Sequence, residues 1–177
     1  MKQCKVRFFI LGALFVMGAH LSLLGQAAPS PTEVPSYLKG YEAQYAKNPR
    51  TAAQDWYRDA KFGIFFDYGI ESLLPGGAKY FDGSFSSRED LEKRYTAEKF
   101  DANALADLAV AAGAHYICFS AKNGGGPYNF RSAVAHPNSY DDCPAKRDLT
   151  AELAKACRSH GLGLFLYVHL VHRAIQR

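Results

Sequence analysis

Three short apolar runs constrain this chain more than any other feature. Residues 62–66 (Phe-Gly-Ile-Phe-Phe), 115–120 and 163–168 are each too short for a helix and apolar on both faces, the pattern of a buried strand. Two segments of helical period lie between them. In 101–112, Leu105, Leu108 and Ala109 recur at helical spacing and Gly113 stands at the stop position; in 148–160, Leu149, Leu153 and Ala156 share a face and Gly161 follows. Shorter helices are predicted over 52–59, with Thr51 as cap and carrying Trp56 and Tyr57, and over 88–95. The order strand, helix, strand, helix, strand calls for an α/β fold with parallel strands joined by right-handed crossovers. In such folds the chemistry lies beyond the carboxyl ends of the strands. Three segments therefore matter: 67–69, 120–130 and 169–172. Two of the strands lead into long loops, one with Pro75-Gly76-Gly77 and Asp82-Gly83, the other opening on Gly124-Gly125-Gly126-Pro127.

The 177 residues are 48% hydrophobic and 14% aromatic, which excludes a disordered chain, and the 15 glycines and 8 prolines show no fibrous period. The formal charge of +4 misleads. Lys2, Lys5 and Arg7 precede an apolar run from Phe8 to Leu24, no acid occurs before residue 28, and Gly25-Gln26-Ala27 offers small residues at a cleavage position. Residues 1–27 read as a signal peptide, so the chain is expected to be exported, periplasmic or secreted, with no stable membrane span after cleavage. With those three positives set aside, basic and acidic residues nearly balance, and no basic patch with interleaved aromatics points to nucleic acid. Residues 28–50, with Pro29, Pro31 and Pro35, read as a linker and N-terminal extension. The folded part is expected to begin near Thr51 and run to 177.

Past the leader, Cys118, Cys143 and Cys157 remain, an odd number with no zinc spacing. Cys118 and Cys157 read as buried thiols, and Cys143, in a loop, has the freedom to pair with either.

The segment Ala60-Lys61-Phe62-Gly63-Ile64-Phe65-Phe66-Asp67-Tyr68-Gly69, preceded by Trp56, resembles the first barrel strand of the α-L-fucosidases, the retaining enzymes of glycoside hydrolase family twenty-nine. Phe100-Asp101-Ala102, Ala112-Gly113-Ala114-His115-Tyr116, Arg147-Asp148 and Gly161-Leu162-Gly163 continue the resemblance over about residues 55–168. It implies a partial (β/α)8 TIM barrel of about three parallel βα units of the eight. It also implies removal of terminal α-L-fucose from glycans by a carboxylate nucleophile and a carboxyl acid/base, with no metal or organic cofactor. The partner it implies is a fucosylated glycan or other carbohydrate.

Several motif positions differ. The family's His-Trp-Gly is Asp67-Tyr68-Gly69 here, and its Lys-His-His-Asp-Gly-Phe corresponds to Lys122-Asn123-Gly124-Gly125-Gly126-Pro127. Its Glu-Trp pair has no match near Ala78-Lys79-Tyr80. The family's nucleophile follows the fourth strand, and only three strands are predicted here, so no catalytic residue is assigned. A full barrel takes roughly 250 residues. The chain is expected to be the N-terminal portion of a fucosidase-like hydrolase lacking the nucleophile-bearing part. The alternatives are a non-catalytic carbohydrate-binding or degenerate homologue and an inactive truncated product. Unpaired sheet edges in such an arc favour self-association.

Four residues are candidate sugar contacts: Asp67, Tyr68, Lys122 and Asn123, all just past strand ends. Asp67 is read either as an acceptor for a sugar hydroxyl or as a carboxylate paired with Lys61 or Lys122, or simply solvated. Tyr68 is read either as a stacking platform or as packing. The triple glycine opens no helix and is set aside as a phosphate cradle. His169 and His172 lack a third metal ligand. Asp141-Asp142 reads as a solvated loop pair.

Overall fold

The computed structural model describes residues 33–73, 88–124 and 126–169. The leader 1–27, the first part of the extension, the loop residues 74–87, Gly125 and His172 lie outside the described residues.

The elements are α1 (Glu42–Lys47), α2 (Pro49–Ala60), β1 (Gly63–Phe66), α3 (Arg88–Glu92), α4 (Ala102–Ala111), β2 (Tyr116–Lys122), α5 (Leu149–His160) and β3 (Gly163–Val168). The strands form one parallel sheet in the order β1-β2-β3, the opening arc of a (β/α)8 barrel, as predicted. In register, Gly63, Tyr116 and Gly163 form one row, Phe65, Cys118 and Phe165 the next. Ile64, Ile117 and Leu164 stand in the intervening row on the opposite face.

The opposite face carries the main core. Ile117, Phe119, Leu149, Leu153, Ala106 and Ala109 are buried there with Tyr95 and Phe100, beneath α4 and α5. Both helices are capped as their sequences require. Asp101 Oδ1 accepts from Asn103 N and Ala104 N at 3.0 Å each, and Asp148 Oδ1 accepts from Ala151 N at 2.8 Å. Gly113 and Gly161 leave them at φ 76° and 66°, in the left-handed region. The buried face of α4 matches the predicted one at Ala109 and at Leu105, which packs against the core, but not at Leu108. Ala102, Ala106 and Ala109 are buried while Leu108 is 55% exposed. Small residues let α4 approach α5 closely, and Leu108 points away from both α5 and the sheet's core.

The fold reaches back beyond Thr51. Leu38 is fully buried with Trp56 and Ala60, and Val34, Tyr37, Tyr41 and Tyr45 pack around them. Residues 33–50 are thus integral to the packed body rather than a linker. The aromatic spacing of 37–45 supplies apolar area that its polar residues mask in sequence. Asn48 caps α2 by accepting from Thr51 N at 3.1 Å, and Pro49 takes the first helical position; Thr51 itself is not the cap.

At the amino-terminal end of the sheet, the Trp56 ring lies over Gly163 and the Tyr116 ring over Gly63, each where a Cβ would stand. Tyr37, Tyr57 and Phe165 complete this aromatic cluster at centroid distances of 4.6–6.5 Å. The glycines in β1 and β3 are requirements of this close approach.

Only β2 comes near the expected full burial, with Tyr116 and Cys118 half-buried and the rest buried. Phe65 is 51% exposed, and Phe165, Leu166, Tyr167 and Val168 are 40–51% exposed. Phe165 meets the Trp56 cluster on one side and Phe65 meets Tyr167 at 5.5 Å, yet each of these side chains keeps a large exposed face. Cys118, Cys143 and Cys157, the cysteines among the described residues, are free: Cys143 and Cys157 are buried and Cys118 partly so. Burial pushes the thiols of Cys143 and Cys157 up to about 11. The open pairing of Cys143 resolves to a packed thiol in the core.

Gly163→Ala is expected to destabilise the chain by about 1–3 kcal/mol, because the added methyl must displace the Trp56 ring. Urea unfolding followed by tryptophan fluorescence, from a single tryptophan, measures it directly. His160 ties α5 to α4: its Nδ1 faces Ala156 O at 2.8 Å and its Nε2 faces Asp107 Oδ1 at 2.9 Å. Both partners are acceptors, so the imidazolium is the form that satisfies both, and the Ala156 carbonyl and then Asp107 raise its pKa. A raised histidine stabilises fully below its unfolded value of about 6.5 and loses that contribution as pH rises through the folded value. The stability gap between the wild-type chain and Asp107→Asn should therefore be widest below pH 6.5 and shrink above it in urea titrations across that range.

Candidate functional site

The carboxyl ends of β1 and β2 are joined side by side. Asn123 Nδ2 donates to Asp67 Oδ2 at 3.0 Å. Asp67 is exposed and Asn123 half-buried. One step beyond the Phe66–Phe119 pair, the register sets Asp67 level with Ser120, and Ser120 is paired in turn with Tyr167. Asp67, Ser120 and Tyr167 thus stand level with one another near the carboxyl rim. The strand β2 runs two residues further than predicted, to Lys122, with a bulge between Ser120 and Lys122. Bulges of this kind re-aim side chains at barrel rims.

Lys122 is spent on architecture. It is 7% exposed, and its Nζ donates to Asn123 O at 2.9 Å and to Gly124 O and Gly126 O at 2.6 Å each. The ammonium also stands 5.4 Å from the Tyr128 ring centroid. The glycine-rich turn is folded around this cation, which is its physical role.

Tyr68 turns to the helix side. Its ring packs against Phe100 at 5.1 Å and Tyr95 at 6.1 Å, and desolvation raises its phenol pKa. Of the four predicted contacts, the structure joins Asp67 and Asn123 directly, engages Lys122 in the loop beside them and packs Tyr68 beneath. Asp67 is paired with neither Lys61 nor Lys122; its partner is the Asn123 amide.

The loop after β2 is anchored by Asn129, 1% exposed. Its Nδ2 donates to Tyr68 O at 2.7 Å and Ser120 O at 2.9 Å, and its Oδ1 accepts from Tyr95 Oη at 2.9 Å. Its backbone donates to Ala121 O and its carbonyl accepts from Thr150 N and Oγ1. One buried amide thereby locks β1, β2, α5 and the 95 region together. Arg147 makes a second tie, donating to Ala97 O at 2.8 Å, Phe100 O at 3.0 Å and the Glu152 carboxylate. Sequence reasoning passed over Asn129, Ser120 and Tyr167. Asn129 lacks any local motif, whereas the strand register, once known, locates the other two.

Asp141 and Asp142 are exposed in a loop, as read from the sequence, and each also has loop partners. Asp142 Oδ2 accepts from Asn138 N and faces His136 Nδ1, each at 2.7 Å, and Asp141 lies 3.8 Å from Arg131. Among the described residues no three His, Cys, Asp or Glu side chains gather where they could hold a metal ion, and no helix is long and apolar enough to cross a membrane.

A parallel arc whose inner face is aromatic at the base and polar at the carboxyl rim belongs to the (β/α)8-barrel class. Residues 31–176 match the profile of the family described as alpha-L-fucosidase. The chain belongs to the α-L-fucosidase family. The rat (Rattus norvegicus) tissue alpha-L-fucosidase is 32% identical over 131 residues, covering 63% of this chain and 28% of the relative. Among solved structures, the alpha-L-fucosidase AlfC from Lactobacillus casei, in complex with its α-L-fucose product, is 30% identical with a TM-score of 0.56, covering 64% of this chain and 40% of that one. The Thermotoga maritima alpha-fucosidase in complex with fucose is 30% identical with a TM-score of 0.54, covering 64% and 33%. The chain spans between about a quarter and two fifths of the length of these relatives.

Lys122→Met is expected to remove the ammonium from the Asn123, Gly124 and Gly126 carbonyls, leaving Asn123 O only its bond from Gly126 N, and to loosen the turn at 123–126. The expected cost is about 1–3 kcal/mol of stability. Hydrogen exchange should quicken at Gly126 and Asn129, whose amides bond Asn123 O and Ala121 O, while α4 is unaffected.

Proposed function

We propose that this chain works as the glycoside-recognising arc of an α-L-fucosidase-like hydrolase, with Asp67 and Asn123 as its sugar-hydroxyl contacts. The carrying observation is the Asp67–Asn123 hydrogen bond across the carboxyl ends of two parallel strands, in a chain matched to the fucosidase family along residues 31–176. An acceptor and an amide held side by side suit the vicinal hydroxyls of a pyranose. Fucose in the Lactobacillus casei and Thermotoga maritima structures supports fucose as the sugar. In the family's reaction a carboxylate forms a covalent glycosyl intermediate and a second carboxyl serves as acid and base, the two about 5 Å apart. The residues assigned here bind and orient the sugar; none is assigned as nucleophile. A binding role without cleavage is the second reading, favoured by Lys122 and Tyr68 being engaged in packing and loop structure. Export through residues 1–27 belongs to the same proposal, motivated by the basic, apolar and small-residue order of that segment.

Isothermal titration of the chain with methyl α-L-fucoside should show millimolar binding that Asp67→Ala and Asn123→Ala each weaken by about tenfold, at the scale of a hydrogen bond to a charged group. Wild-type titrations without heat at tens of millimolar sugar, on folded protein, would refute fucoside recognition.

A further inference from the structure

Two buried side-chain polar atoms among the described residues have no hydrogen-bond partner, Glu71 Oε2 and Ser120 Oγ. One lies near the carboxyl end of β2 and the other on the turn that follows β1. Ser120 is fully buried and stands level with Asp67 and Tyr167, between them. Glu71 sits on the turn Ile70–Leu73 just after β1. Its Oε2 fills the space on the side-chain side of Gly69, the same space that Asn123 Cβ borders at 3.6 Å from the position a Cβ would take. Any larger residue at 69 would collide with the Glu71 carboxylate. The carboxylate is thus held beside the Asp67–Asn123 pair, at a glycine that makes room for it.

Unpaired buried polar atoms cost stability and are rare in folded chains. Nearby side chains of similar burial are generously paired: Asn129 makes three side-chain hydrogen bonds and Lys122 three. Two orphans at one strand-end rim therefore mark groups whose partners come from outside the chain.

We infer that Glu71 and Ser120 are further sugar-reading residues of this mouth, Glu71 Oε2 accepting a hydroxyl proton of the bound glycoside and Ser120 Oγ exchanging a hydrogen bond with it. This rests on the reading of the mouth as a glycoside site and names its chemistry more closely. Two carboxylates, Asp67 and Glu71, favour a neutral, hydroxyl-rich pyranoside and disfavour sugar acids, which would set like charges against each other.

The test titrates the full chain and the variants Glu71→Gln and Ser120→Ala with methyl α-L-fucoside, methyl β-D-galactoside and D-galacturonic acid, and records melting curves of each. The expected result is a loss of affinity of about tenfold in each variant for the neutral glycoside that binds, with melting temperatures at or above wild type. Unchanged affinity in both variants overturns the inference. So does a loss of affinity that only follows a lower melting temperature, since both side chains would then be structural. Galacturonic acid binding tighter than the neutral sugars overturns it too. Binding of the galactoside but not the fucoside, weakened by both variants, overturns the fucoside reading and leaves this inference standing. Binding of none of the three by the folded wild-type chain overturns both.

Discussion

Everything else in this structure depends on the parallel register that aligns Gly63 with Tyr116 and Tyr116 with Gly163. A parallel sheet fixes which side chains share a row, and here the first row is two glycines flanking one tyrosine. The absent side chains make room for the Trp56 and Tyr116 rings, so α2 and the segment before it close the base of the arc. A shift of one residue would exchange the faces, sending Ile64, Ile117 and Leu164 away from the helices that bury them. The glycines thus set both the aromatic base and the helix-side core.

The second tie is the Asn129 amide. Its hydrogen bonds run to Tyr68 O, Ser120 O and Tyr95 Oη, and its own carbonyl receives Thr150. These partners lie in four different parts of the chain. A long loop is ordinarily the most variable part of a βα unit. Here a fully paired buried amide makes the start of that loop part of the core, and the Lys122 ammonium does the same for the glycine turn before it. The rim residues are therefore held by rigid neighbours, which is what a recognition site requires.

What could be read from the sequence followed physical range. The strands and the two long helices were legible because hydrophobic period and capping residues are local, and Asp101, Asp148, Gly113 and Gly161 all serve as their types predict. Strand burial was misjudged at Phe65 and along β3, since apolar composition says nothing about which elements cover a face. The packing of residues 33–50 escaped notice because tyrosines among polar residues carry apolar area without a period. In the candidate site, Asp67 and Asn123 were legible from their positions after strands, whereas Tyr68 and Lys122 shared those positions and went to other tasks. Strand-end position identifies residues near the rim but not the direction of each side chain. Asn129, Ser120 and Glu71 gain their meaning only from contacts made across the sheet.

The inner face changes character along the strands. Its first row is glycine and tyrosine under the aromatic cluster, its second is Phe65, Cys118 and Phe165, and its third is Asp67, Ser120 and Tyr167. Apolar area therefore accumulates where packing must hold the arc, and polar groups gather at the carboxyl rim. This division lets the rim vary at little structural cost. Replacing histidines of the family's motif by Asp67 and Asn123 leaves the Trp56 cluster, the α4–α5 core and the Asn129 tie untouched, because none of those contacts uses the replaced groups. The fold can be retained while the pattern of donors and acceptors facing a sugar is rewritten, and the two orphan atoms at Glu71 and Ser120 lie on the side of that boundary where rewriting is cheap.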